Sequence, residues 1–270
     1  MDIFFHVGLG KTGSTYLQHK FFPKLKGVNY IHHTNYKKSI EIIGQKKHDR
    51  YFVSREFDRQ FLTEIKKFSA VYPDTYPIMV LRRHDSWIAS QYRRFTKNGR
   101  GIYFKEFIDI DENKGRWDKK ELNFYEKIEQ LEHYFNQKPL VLLYDELRKD
   151  PITFFKKIAA YTKTEFDTNS ISLSPKHKSY SENQLLHVRR ISRRMLKNID
   201  EKKMDKKKWG RRMRKIVTHL IMYFHWLLPS SKIKNEMLID PKDLEAIKIK
   251  YDEDWQKCLD YINENAPNIN

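Results

Sequence analysis

Cysteine is nearly missing from this chain: Cys258 is the single one among 270 residues. That excludes an intrachain disulfide and any cysteine-rich zinc site. Glycine and proline are modest at 9 each, so the chain is neither collagenous nor a low-complexity linker. Acidic residues are in deficit, 35 against 53 Lys and Arg, which leaves a formal net charge of +18. A field this basic favours anionic partners, whether nucleotide, nucleic acid, acidic polysaccharide or membrane face, without choosing among them. Long apolar runs are lacking too. The longest, Ile216 to Leu228, is broken by Thr218, His219 and His225. It is too short to span a bilayer, which needs about 20 residues. The first apolar run covers only Ile3 to Val7, and Asp2 stands where a signal peptide would be basic. The expectation is a cytoplasmic protein, at most peripheral to the inner face of the membrane.

Aromatics are plentiful, with 17 Phe, 16 Tyr and 5 Trp, enough for a substantial core. Short apolar runs at Ile3–Val7, Val28–His32, Tyr51–Val53, Tyr76–Leu81 and Leu140–Tyr144 read as strands. Segments of helical period alternate with them: Ser14 or Thr15 to Leu25, Phe57 to Val71, Asp85 to Lys97, Leu122 to Phe135, and Pro151 to Tyr161 behind an Asp150 cap. That alternation predicts βαβ units and a central, mostly parallel sheet. Strand signals stop near Asp167, and the remainder reads as helical. The expected organisation is an α/β core over residues 1–166. A basic helical part, 167–270, completes the same domain.

Asp109, Asp111, Asn113 and Gly115 suggest a calcium loop, but the glycine arrives one position late and position twelve is Lys120. The stretch after the first strand, GLGKTGSTYLQ, is more informative. Gly8, Gly10 and Gly13 fit a dinucleotide fingerprint. The acid that should follow about 20 residues on is missing, because that region reads NYIHH. Gly10-Lys11-Thr12 ends like a Walker loop, but the glycine required five residues earlier is Phe5. From Lys11 onward the stretch offers an ammonium, hydroxyls at Thr12, Ser14 and Thr15, a flexible Gly13 and a helix N-terminus. That donor set suits a phosphosulfate held without a metal.

Here the chain resembles the sulfotransferases that use 3′-phosphoadenylyl sulfate (PAPS). Lys11-Thr12-Gly13-Ser14-Thr15 matches their 5′-phosphosulfate loop. LRRHDSWIASQY matches their second signature, with Arg82 at a strand end and Ser90 eight residues on. VLLYDELRKDPITFFKKIAAY matches a third feature, a strand, an acidic dipeptide and an Asp-Pro helix start. The resemblance spans about Ile3 to Lys163. It implies a P-loop-like three-layer α/β fold with a helical C-terminal extension. PAPS is the implied donor, PAP (adenosine 3′,5′-bisphosphate) the product, and no metal is needed. Lys11, Thr12, Gly13, Ser14, Thr15, Arg82 and Ser90 would bind the donor, and Lys11 would also stabilise the leaving oxygens. A basic loop with Lys176 and Lys178 would close over the 3′-phosphate.

For the base, Glu56 in YFVSREF follows a strand and matches a Ser-x-Glu of bacterial-type relatives. An ordinary first-turn glutamate is its plainer reading. His32 and His33 are the alternatives; on a strand only one of two neighbours can point inward. His6 reads as structural. The resemblance favours the carbohydrate branch, with an acceptor hydroxyl on an anionic polysaccharide, lipopolysaccharide or glycolipid. Animal Golgi relatives carry anchors and disulfides, so their absence here suggests a bacterial enzyme. The basic stretch from Arg189 to Lys215, followed by KIVTHLIMYFHWLL, leaves three readings open. They are a clamp for an acidic or lipid-linked glycan, an interfacial helix over 189–228, and a plain helical hairpin. No nucleic-acid signature accompanies it. The rival functions are an NTP-dependent kinase and a non-enzymatic basic module.

Overall fold

The structure, a computed structural model, describes residues 1–173, 180–196, 208–224 and 236–267. Lys176 and Lys178 lie outside them, as do residues 197–207 of the basic stretch. The first half runs β1 (Asp2–His6), α1 (Ser14–Tyr16), β2 (Asn29–Ile31), α2 (Ser39–Gly44), β3 (Arg50–Ser54), α3 (Phe61–Ser69), β4 (Tyr76–Leu81) and α4 (His84–Lys97). Then come α5 (Phe104–Phe107), α6 (Phe124–Tyr134), β5 (Leu140–Leu143), α7 (Tyr144–Lys149) and α8 (Pro151–Thr162). The described C-terminal helices are α9 (Glu182–Leu196), α10 (Lys208–Tyr223), α11 (Pro241–Lys250) and α12 (Asp252–Glu264).

The chain divides into two compact units. One comprises Met1–His84, Glu121–Lys176 and Tyr251–Asn270; the other comprises Asp85–Lys120 and His177–Lys250. The first unit holds all five strands, in the order β2-β3-β1-β4-β5 and parallel throughout. Both sheet faces are covered, as a parallel sheet requires. Phe4, Phe52, Val80 and Leu142 face Phe21, Phe155 and Ile158, with the Phe21 and Phe155 rings stacked 4.2 Å apart. Phe5 points the other way and lies 4.5 Å from Phe68 of α3. On that side α12 packs on α6. The expected three-layer α/β fold with a helical C-terminal region is therefore observed.

One boundary differs. Helical spacing predicts a helix from Phe57, but α3 begins at Phe61. Residues 55–58 are drawn onto the β1 loop instead: the Arg55 amide donates to the His6 carbonyl and the Phe57 amide to Gly8. Phe57 is buried edge-on to the Phe5 ring.

One carboxylate of the C-terminal helix makes several of its ties to the rest of the first unit. Asp254 accepts from the Phe124 and Tyr125 amides at 3.0 and 3.2 Å, capping α6 from a distant point in sequence. It also meets Nε2 of buried His84 at 2.8 Å, whose ring stacks on Phe124 and Tyr251.

The regular elements among the described residues of the second unit are helices. Trp87 and Trp117 meet edge to face, and Tyr92 packs on Phe104 and Phe107. Helices α9 and α10 pair through Val188, Ile221 and Met222. Asp109, in the rejected calcium loop, accepts the amides of Asp111, Glu112 and Lys114. Those bonds, the Glu112 amide foremost, hold its carboxyl below the usual range.

Asp254→Ala removes a cap and a buried imidazole's partner together. Urea denaturation should show a loss of about 2–4 kcal/mol. Asp254→Asn, which keeps one acceptor oxygen, should lose less.

Candidate active site

The site is built on the C-terminal edge of the sheet, where loops from adjacent parallel strands converge. The β1 loop makes its turn through two left-handed residues, Lys11 at φ 72° and Gly13 at φ 87°. Gly13 then caps a helical segment that starts as α1, passes through a π turn at Leu17–Phe21 and tightens at Phe22–Lys24. The helix expected from Ser14 to Leu25 is thus present but irregular, with proline at position 23 in its last turn.

Three sets of contacts hold this loop. Inside it, the Thr12 hydroxyl donates to the Leu9 carbonyl at 2.6 Å, and the Ser14 hydroxyl reaches the same oxygen at 3.3 Å. Both side chains are buried, whereas Thr15 is exposed and Lys11 half-buried. From the β3 side, the Asp58 carboxylate accepts the Gly10 amide at 3.0 Å. From the β5 side, α7 lies against Gly13. A Cβ there would stand 2.6 Å from Leu147 Cδ2 and 3.4 Å from the Tyr144 ring.

Beneath the loop is a buried polar chain. His6 Nδ1 lies 2.9 Å from Ser54 Oγ, which also accepts from Gln18. Burial alone lowers the His6 pKa to about 3, so this ring is neutral at physiological pH. Gly8 passes so close that a Cβ would be 2.4 Å from His6 Nε2. The structural reading of His6 agrees with this arrangement.

Arg82 leaves the end of β4 and sits 4.9 Å above the Tyr144 ring. Its Nη1 reaches the Lys11 carbonyl at 3.5 Å. Arg82 and the loop, 71 residues apart, are therefore brought together. Ser90 is half-buried on α4, in the second unit.

Glu56 is half-buried on the other flank of the loop. Because α3 starts only at Phe61, Glu56 is not a first-turn residue, and the plainer reading of it loses its basis. It lines a cavity of about 670 Å³ with Arg55, His33, Tyr36, Lys37 and Lys67. Burial, then the hydrogen bond to Glu64 at 2.9 Å, push the Tyr36 phenol well up.

His32 and His33 do not obey strand alternation. β2 ends at Ile31, and a 3-10 turn begins at His33. The two rings consequently lie on one side, 4.0 Å apart. Asp58, Tyr144 and His19 escaped the sequence reading. Asp58 and Tyr144 work through contacts between remote segments, and only the proximity of DELRKDP to a strand end hinted at Tyr144.

No protein-family profile matches the chain, and no curated protein matches it in sequence. Solved structures do. A sulfotransferase from Alicyclobacillus acidocaldarius superimposes with a TM-score of 0.51 at 13% identity, over 73% of this chain and 94% of that one. The chain has the sulfotransferase fold. The mouse sulfotransferase SULT7A1 complexed with PAP superimposes with a TM-score of 0.40 at 14% identity, over 74% of this chain and 68% of that one.

Gly13→Ala should lower stability by about 1–3 kcal/mol, through left-handed strain and crowding against Leu147. Gly27 has a similar φ of 74°, but its nearest neighbour is 3.7 Å away. Gly27→Ala should therefore lose only the backbone part, about 1 kcal/mol, and urea melts of the two variants test the difference.

Proposed function

We propose that the protein is a PAPS-dependent sulfotransferase acting on a carbohydrate hydroxyl. The observation that carries this reading is the strand order β3-β1-β4. It puts Glu56 and Arg82 on opposite flanks of the Lys11 loop. One flank then has a carboxylate beside a cavity, and the other has a guanidinium for a remote phosphate. The donor set fits such an anion: an ammonium, a stacked guanidinium, an exposed hydroxyl at Thr15 and first-turn helix amides.

In this reading Lys11 and the amides at Gly13, Ser14 and Thr15 hold the 5′-phosphosulfate. Buried Thr12 and Ser14 brace the turn through Leu9. Arg82 binds the 3′-phosphate that distinguishes the donor from ATP, and Ser90 keeps its assignment to that phosphate from the sequence motif alone. Glu56 accepts the proton of the acceptor hydroxyl as its oxygen bonds to sulfur and the bridging S–O bond breaks. Lys11 neutralises the charge that gathers on the departing phosphate oxygen. No metal is needed, since the two cations supply the positive charge. Arg55, Lys37 and Lys67 around the cavity favour an anionic sugar, on a polysaccharide, lipopolysaccharide or glycolipid.

The second unit supports a membrane-peripheral setting. Arg189 and Arg193 clasp the Tyr103 ring at 4.8 and 4.4 Å, and both make ion pairs, to Glu236 and Glu106. These two are therefore structural. Helix α10 differs. Val217, Thr218, Ile221 and Met222 pack inward, while Ile216, Leu220, Tyr223 and Phe224 are exposed beside exposed Arg212 and Lys215. An apolar stripe flanked by cations suits an anionic lipid surface, where a lipid-linked acceptor would be found. Among the described residues no helix is long and apolar enough to cross a membrane.

Lys11→Ala should abolish transfer of labelled sulfate to surface glycans. Glu56→Gln should cut turnover about 100-fold or more while leaving adenosine 3′,5′-bisphosphate binding intact. Full activity in Glu56→Gln would return the base to a histidine. Tight binding of ADP with Mg²⁺, and none of the bisphosphate, would make the protein an NTP-using enzyme.

Vesicles containing anionic phospholipid should sediment the protein, and neutral vesicles should not. Leu220→Glu together with Tyr223→Glu should abolish sedimentation without changing transfer to a soluble acceptor.

A further inference from the structure

Three histidines converge at the end of β2. His32 follows the strand and caps the next 3-10 turn, His33 opens that turn, and His19 comes from the π turn after α1. The His19 ring lies 5.5 Å from His32 and 5.2 Å from His33, both edge to face. One ligating nitrogen from each ring lies within 4.8 Å of the other two. Three imidazoles this close bring three nitrogens of metal-ligating type into one small region.

We propose that His19, His32 and His33 form a binding site for a borderline-soft divalent metal ion, with zinc as the reference ion. Imidazole nitrogen suits zinc, copper and nickel, and does not suit magnesium or calcium. Tetrahedral zinc at 2.0–2.1 Å holds its ligand nitrogens about 3.4 Å apart. The rings must therefore draw in by about 1 Å. His19 is exposed and on a long-spaced helical turn, so it is the ring with room to move. His32 already has outer partners: its Nδ1 accepts from the Thr34 amide at 3.4 Å and lies 2.9 Å from Thr34 Oγ1. Binding a metal through Nε2 would shift the ring proton to Nδ1, which would then donate to that hydroxyl in place of the long amide contact, the arrangement that orients a metal-bound histidine.

The three-nitrogen set leaves a fourth position for water or an anion, and no carboxylate in the cluster offsets the ion's charge. Backbone ties make the histidine pair a defined platform. Arg55 Nη1 donates to the His33 carbonyl at 3.3 Å. A bound ion would also link the helical segment after the Lys11 loop to the rim of the Glu56 cavity, which His33 lines. The site adjoins the Glu56 cavity, but the case for it does not rest on the proposed transfer reaction.

Calorimetric titration of the untagged, metal-stripped full chain with Zn²⁺ tests the site. Saturable binding of one ion is expected, with Co²⁺ giving the visible absorption of a tetrahedral nitrogen site. His19→Ala and His32→Ala should each weaken Zn²⁺ binding at least tenfold. His133→Ala, on the exposed surface of α6, should leave it unchanged. Circular dichroism checks that the variants fold. Failure of Zn²⁺ to saturate at millimolar concentration would overturn the proposal. Unchanged affinity in a His19→Ala, His32→Ala double variant would do the same.

Discussion

The left-handed turn at Lys11 and Gly13 is the constraint on which the site depends. A lysine at positive φ costs about 1 kcal/mol, and it persists only where surrounding contacts impose it. Here those contacts come from three directions. Thr12 and Ser14 tie the loop to its own Leu9 carbonyl, Asp58 fixes Gly10, and Leu147 and Tyr144 close over Gly13. The result is an ammonium at a sheet edge on a backbone that does not need to reorganise.

Sheet order does the rest. Because β1 is central, its loop has a neighbour on each side, and the segments that follow those neighbours carry Glu56 and Arg82. Tyr144 links the loop to the Arg82 flank in a concrete way. Its ring supports the Arg82 guanidinium on one side and limits Gly13 on the other. A single aromatic at the start of α7 thus couples the turn of the loop to the position of the cation.

Charge is a poorer guide to role. The sequence carries its arginines as an undifferentiated basic block. In the folded chain Arg189 and Arg193 are spent on Tyr103, Glu236 and Glu106, and Arg189 is 4% exposed. Arg212 and Lys215 remain at the surface. What separates them is helix phase and the partners that tertiary packing supplies, and neither can be read from a count of cations.

Much of the architecture was legible along the chain. The strands announce themselves as short apolar runs closed by glycine, serine or arginine, and parallel pairing follows from the helical segments between them. The Lys11 turn and its connection with Arg82 were legible too, because strand ends in a parallel sheet share one edge. Other features needed the third dimension. The start of α3 at Phe61 is set by hydrogen bonds from residues 55–58 to the β1 loop, which outweigh a good helical pattern. The crowding of His19, His32 and His33 arises because β2 stops one residue before the pair and a π turn delivers the third ring. Local propensity decides which elements form. Where one ends, and which side chains then meet, is decided by contacts between segments far apart in sequence, whose free energies no local pattern records.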